Sequence, residues 1–126
     1  MTQPEIMEAA VHEYVRALNA CDLEAIVALY ASDATVEDPV GSEPRRGAEA
    51  IRAFYATVVA MKLTVALEGQ IRAAAGEAAF PFSVKVNQNG QAMTIRPIDV
   101  FRFNEAGKIT SMRAFFGAAN MSVDGG

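Results

Sequence analysis

Apolar residues at the start of the chain recur at three- and four-residue spacing. Met7, Val11, Tyr14, Val15 and Leu18 share one stripe of a helix predicted over residues 4–20, with Pro4 in its first turn. Asp22 caps a second predicted helix that runs to about Tyr30 and turns Leu23, Ile26, Val27 and Tyr30 inward. These two form a short antiparallel pair. Ala34-Thr-Val-Glu-Asp38 then reads as a brief strand, halted by Pro39 and by the turn-forming residues 41–44. A third helix, about Ala48 to Val59, aligns Ile51, Phe54, Tyr55 and Val58. From Leu63 the pattern changes to segments rich in β-branched and aromatic residues, near 63–75, 77–86, 91–104 and 109–117. Gly76, Asn87-Gln-Asn-Gly90 and Glu105-Ala-Gly107 punctuate them as hairpin-like connections. Helices in front of an antiparallel meander make an α+β domain in which one sheet face receives the helices.

Composition narrows what such a domain can do. The 126 residues form one domain, 1–126, with no repeat or linker. Hydrophobic residues at 52% and charged residues at 21% are enough for a packed core. A net charge of −4 argues against a nucleic-acid partner, whose affinity would rest on Lys and Arg displacing counterions from phosphates. The longest near-apolar run, Ala25 to Ala31, falls far short of the roughly 20 residues that cross a bilayer. The amino terminus carries Glu5 and Glu8 with no basic stretch leading an apolar one, so no secretory signal and a reducing cytoplasm are expected. Cys21 and His12 are the single cysteine and histidine, which excludes an internal disulfide and a Cys/His zinc cluster. A Ser-His-Asp or Cys-His site would have to be built on His12.

Candidate chemistry therefore falls to phenols and carboxylates. Tyr14, Tyr30 and Tyr55 each sit on the apolar stripe of a different predicted helix. Three buried hydroxyls facing one core could form a hydrogen-bond chain with one end free for a ligand. The plainer account, interior aromatics whose hydroxyls reach backbone or water, stands ahead on spacing alone. In Val36-Glu37-Asp38-Pro39, alternation puts Asp38 on the side of Val36 and Glu37 on the other, and Pro39 favours an extended backbone at Asp38. A surface Asp-Pro turn is the competing use. Asp99 shares parity with Phe101 and Phe103, which sets an acid in an aromatic row, while Arg96 and Arg102 fall on the opposite face. Without a cation, such an acid is costly to bury unless it stays protonated. His12 and Arg45-Arg46 read as solvent-facing, with no support for an anion clamp at the arginines, and Cys21 reads as a helix-junction residue. No glycine-rich nucleotide loop is present.

Several of these segments together resemble the bacterial steroid Δ5-isomerases, or ketosteroid isomerases, of the nuclear-transport-factor-2-like superfamily. The resemblance is carried by Tyr14-Val-Arg-Ala-Leu-Asn, Ala34 to Pro44 with Gly47, Ile51-Arg-Ala-Phe-Tyr55, Pro97 to Phe103 and Ser111 to Gly117. It implies three helices packed on a curved, mainly antiparallel sheet around a cone-shaped apolar pocket, in a homodimer. It further implies Asp38 as general base, with Tyr14 and a neutral Asp99 as oxyanion-hole donors; the neutral acid comes from the family and not from the spacing. Tyr30 and Tyr55 match the supporting network, and Phe54, Phe82, Phe101, Met112 and Phe116 match substrate-binding positions. The implied activity moves a proton from C4 to C6 of a 3-oxo-Δ5-steroid with no metal or cofactor. Two other readings stay open: a non-catalytic binder of a hydrophobic ligand or protein, and a cyclase or lyase acting on a polyketide or terpene.

Overall fold

The structure, a computed structural model, describes residues 2–124. Helices α1 (Gln3–Asn19) and α2 (Leu23–Val27) come first, then strands β1 (Tyr30–Glu37) and β2 (Arg45–Arg46), then helix α3 (Ala48–Ala60). There follow β3 (Thr64–Leu67), β4 (Arg72–Ala74), β5 (Glu77–Gln88), β6 (Gln91–Ile95), β7 (Ile98–Phe103) and β8 (Ile109–Phe115). A 3-10 turn at Ala118–Asn120 leads into β9 (Met121–Val123).

Local chemistry explains most boundaries. Helix α1 opens with a capping box: the Glu5 amide donates to the Thr2 hydroxyl at 3.3 Å and the Thr2 amide donates to the Glu5 carboxylate at 3.2 Å. Its buried stripe is Met7, Val11, Tyr14 and Leu18, as the spacing predicts. Asp22 caps α2 by accepting from the Ala25 amide at 3.1 Å.

Helix α2 does not reach Tyr30. The Ile109 amide donates to Leu29 O at 2.9 Å and Lys108 Nζ to Ala28 O at 2.8 Å, so the chain leaves the helix and Tyr30 pairs with Ile109 in a parallel ladder. Tyr30 thus opens β1, and the expected helical placement of this residue is corrected. The long expected strands also divide. Segment 63–75 becomes β3 and β4, which pair separately with β5, and 91–104 splits into β6 and β7 at Pro97, which has no N–H for a ladder.

Nor is the sheet a simple meander. Its order is β2-β1-β8-β7-β5-β6-β9, with β1 and β8 parallel and the other pairs antiparallel. Strand β5 serves two sets of partners: residues 77–81 pair with β7, and 84–88 with β6. The change falls at Pro81-Phe82, where the Phe82 amide leaves the ladder to donate to Pro97 O. The inner face carries Phe80, Phe101, Met112 and Ala114, packed under α1 and α3. Each large apolar side chain buried this fully contributes about 1.5–3 kcal/mol.

Candidate active site

The three phenols converge. Tyr14 comes from α1, Tyr55 from α3 and Tyr30 from the first residue of β1, and all are buried. The Tyr55 hydroxyl lies 3.1 Å from that of Tyr14 and 2.5 Å from that of Tyr30, a chain with Tyr55 in the middle. The edge of the Tyr14–Phe101 pair, at 5.1 Å between ring centres, and the Tyr14–Tyr55 contact at 6.1 Å fix the first ring in place. Burial pushes all three phenols far above their ordinary range, so they keep their protons.

Asp99 lies in β7 opposite Phe80 on one side and Ala114 on the other, 1% exposed. Its Oδ1 has no hydrogen-bond partner. Arg96 and Arg102 project to the other face, 3.5 Å from Glu68 and 3.8 Å from Glu77, as strand parity requires. With no cation to stabilise the anion, burial first and the nearby Asp38 charge second push the Asp99 carboxyl well above the carboxylate range.

Asp38 follows the last residue of β1. A turn at residues 39–42, closed by the Ser42 amide to Pro39 O at 3.0 Å, and the Val40 amide to Ala114 O at 2.8 Å hold the strand end against β8. Glu37, one residue earlier, faces the other way and accepts from Arg113 at 3.0 Å. Burial raises the Asp38 carboxyl to about 6, against the opposing pull of Arg45.

Tyr14, Tyr55, Asp38 and Asp99 all line one cavity of about 350 Å³ whose remaining wall is almost wholly apolar. That is the size and character of a small-molecule site. Phe54, Phe82 and Phe116 line it. Phe101 and Met112 do not: both lie fully buried in the layer beneath, where Phe101 supports Tyr14 and Phe80. Tyr30 also sits behind the wall and touches the site through Tyr55. Sequence reasoning missed Val84 and Val86, which continue the Phe82 parity along β5, and Met93 and Ile95, which alternate in the same way on β6. It also set aside Arg45, whose guanidinium stacks on Phe54. Among the described residues, no group of three or more His, Cys, Asp or Glu converges as a metal site would need, and no helix is long and apolar enough to cross a membrane.

Helices packed on a mostly antiparallel sheet are consistent with the SnoaL-like domain, one of the nuclear-transport-factor-2-like folds. The chain belongs to that family, which its residues 11–112 match. Over 117 residues it is 44% identical to the steroid Delta-isomerase of Nocardioides simplex, covering 93% of this chain and 94% of that protein. It is 30% identical over 123 residues to epoxide hydrolase LasB of Streptomyces lasalocidi, covering 87% of this chain and 41% of that protein. The solved structure of SalBIII, an epoxide hydrolase/cyclase-like enzyme in pyran ring formation in the polyether salinomycin, superposes with a TM-score of 0.90. Its sequence identity is 32%, over 97% of this chain and 99% of that one.

Proposed function

We propose that this protein is a steroid Δ5-isomerase that converts 3-oxo-Δ5-steroids to their conjugated 3-oxo-Δ4 isomers. The observation that carries the reading is the meeting of Asp38, Tyr14 and an unpartnered Asp99 on one apolar cavity. With the ketone oxygen between Tyr14 and Asp99, Asp38 removes the C4 proton. The C–H electron pair forms a double bond between C3 and C4 and the carbonyl pair moves onto oxygen, while the C5–C6 double bond stays in place, and the dienolate oxygen takes hydrogen bonds from the phenol and the neutral carboxylic acid. Asp38 then returns the proton at C6. The step transposes one double bond and balances without an oxidant or reductant. Donors already aimed at the oxygen in a dry site stabilise the charge with no solvent reorganisation. The similarity to the Nocardioides enzyme supports the same reading.

The family's homodimer is proposed here too, with the outer face of β7 and β8 as its surface. Ile98 is 48% and Phe115 41% exposed there, side by side in register.

The likeness to SalBIII favours a second reading, in which Asp99 protonates an epoxide oxygen while Asp38 deprotonates the attacking hydroxyl. An ultraviolet assay with a β,γ-unsaturated 3-ketosteroid separates the two. Growth of conjugated-enone absorbance is expected, and it should vanish in Asp38→Asn. No absorbance change with any ring-D substituent, together with turnover of a hydroxy-epoxide, would move the assignment to the second reading. Ligand binding with turnover of neither would leave a carrier.

A further inference from the structure

Strand β2 consists of Arg45 and Arg46, and its register places Arg45 beside Val36, two residues before Asp38. The two arginines have different surroundings. Arg46 is exposed, whereas Arg45 is half-buried. The Arg45 guanidinium carbon stands 4.4 Å from the centre of the Phe54 ring, and its Nη1 donates to the Asp38 carbonyl oxygen at 3.3 Å. Phe54 in turn lines the cavity and packs edge-on against Tyr55 at 5.0 Å. Arg45 does not line the cavity, so it is placed to act on the aromatic wall and the strand end from behind.

We propose that Arg45 is the positioning residue of the Asp38 carboxylate, its guanidinium clamped between the Phe54 ring and the Asp38 backbone so that the strand end is held and the carboxylate has a fixed positive charge behind it. A cation over an aromatic face is stable in its own right, which anchors the clamp, and an arginine stays charged across the working pH range.

The other charged and titratable groups near the end of β1 cannot do this. On β1, Glu37 is engaged by Arg113 at 3.0 Å and by the Gly41 amide at 2.9 Å. Burial pushes the carboxyl of Asp99 on β7 well above its ordinary range, and Tyr14 of α1 and Tyr55 of α3 stay protonated. Glu43 in the turn and Glu49 in the first turn of α3 are exposed. Of these groups, Arg45 alone opposes the effect of burial on Asp38.

The inference deepens the proposed isomerase reading and rests on it for its catalytic meaning, so the deciding measurement is independent of turnover. Carboxyl carbon NMR of aspartate-labelled protein, with Asp38 assigned by its loss in Asp38→Asn, follows the carboxylate through a pH titration. In Arg45→Met the Asp38 midpoint should rise by roughly 0.5–1 pH unit, the size expected of one partly screened neighbouring charge. Arg45→Lys should recover part of that rise, because it keeps the charge and loses the planar stack. Arg46→Met, which removes the same formal charge from the exposed neighbour, should leave the midpoint in place. If the wild type isomerises steroids, the acid limb of kcat/KM should move with the NMR midpoint in each variant. A midpoint unmoved in both Arg45 variants, or moved equally by Arg46→Met, overturns the proposal. A wild type inactive on steroids, with the midpoint moving as expected, would overturn the substrate and leave the positioning role intact.

Discussion

Two carboxyl groups share one cavity and burial raises both, and under the proposed isomerase reading one serves as base and the other as donor. Asp38, raised to about 6, is ionised at neutral pH, so kcat/KM should climb as pH rises through about 6 and then level, a profile read from initial rates. Replacing Asp38 by Asn should nearly abolish turnover while a planar phenolic steroid still binds. Tyr14→Phe should lower kcat by on the order of 10²–10³ with KM little changed, and Tyr55→Phe should cost less because it acts one hydrogen bond away. An equal or larger loss for Tyr55→Phe would reverse the order of the phenol chain. Stability should bear the same imprint. For each acid the folded-state value is raised, so its favourable contribution is complete below about pH 4 and is lost as pH rises through the folded value. Paired urea melts should show Asp38→Asn gaining on wild type between about pH 4 and 7, by about 2 kcal/mol after allowance for residual solvent. Asp99→Asn should likewise gain on wild type as pH rises above about 4, because burial raises this carboxyl too. A pH-independent difference for Asp99→Asn would mean that the acid is ionised and structural.

Among the elements, the helical stripes were legible because one period explains each: Met7 to Leu18 and Ile51 to Tyr55 face inward as their spacing requires. Asp99 was legible for the same reason, since strand alternation alone put it with Phe101 and away from both arginines. What could not be read was decided by distant partners. Tyr30 continues the apolar period of α2, yet hydrogen bonds from residues 108 and 109 draw it into β1, and nothing local announces them. Phe101 and Met112 carry the right chemistry for a pocket wall but lie one layer too deep, because parity gives a face and not a depth. The terminal strand β9 was not read at all, being only three residues that pair with β6. It is fastened by Thr94, whose buried hydroxyl donates to Asp124 at 2.8 Å, and it supplies Met121 to the cavity wall. Thr94→Val should free this strap and raise KM several-fold with kcat nearly unchanged, at a stability cost of about 1 kcal/mol. A change confined to kcat would detach β9 from ligand binding.

At the scale of the whole molecule, the sheet presents its inner face to the ligand and its outer face to solvent or to another copy. The outer surface mixes Ile98, Val100 and Phe115 with Arg102 and Arg113. If it joins two copies, Phe115→Glu should yield monomers by sedimentation, and the candidate site, whose described lining lies on the inner face of the sheet, should retain its ligand affinity. An unchanged sedimentation coefficient, with wild type dimeric, would move the interface elsewhere. The phenol chain has one more consequence. The chain has no tryptophan and three tyrosines, and all three stand in that chain. Beyond the phenylalanine band, the protein's near-ultraviolet absorption and intrinsic emission therefore originate in this one chain of phenols. Raising the pH should produce no gradual phenolate signal; all three phenols should ionise together when the alkaline protein unfolds, and a bound ligand should postpone that single step. Occupancy of the site can thus be followed by light alone, without label or added dye.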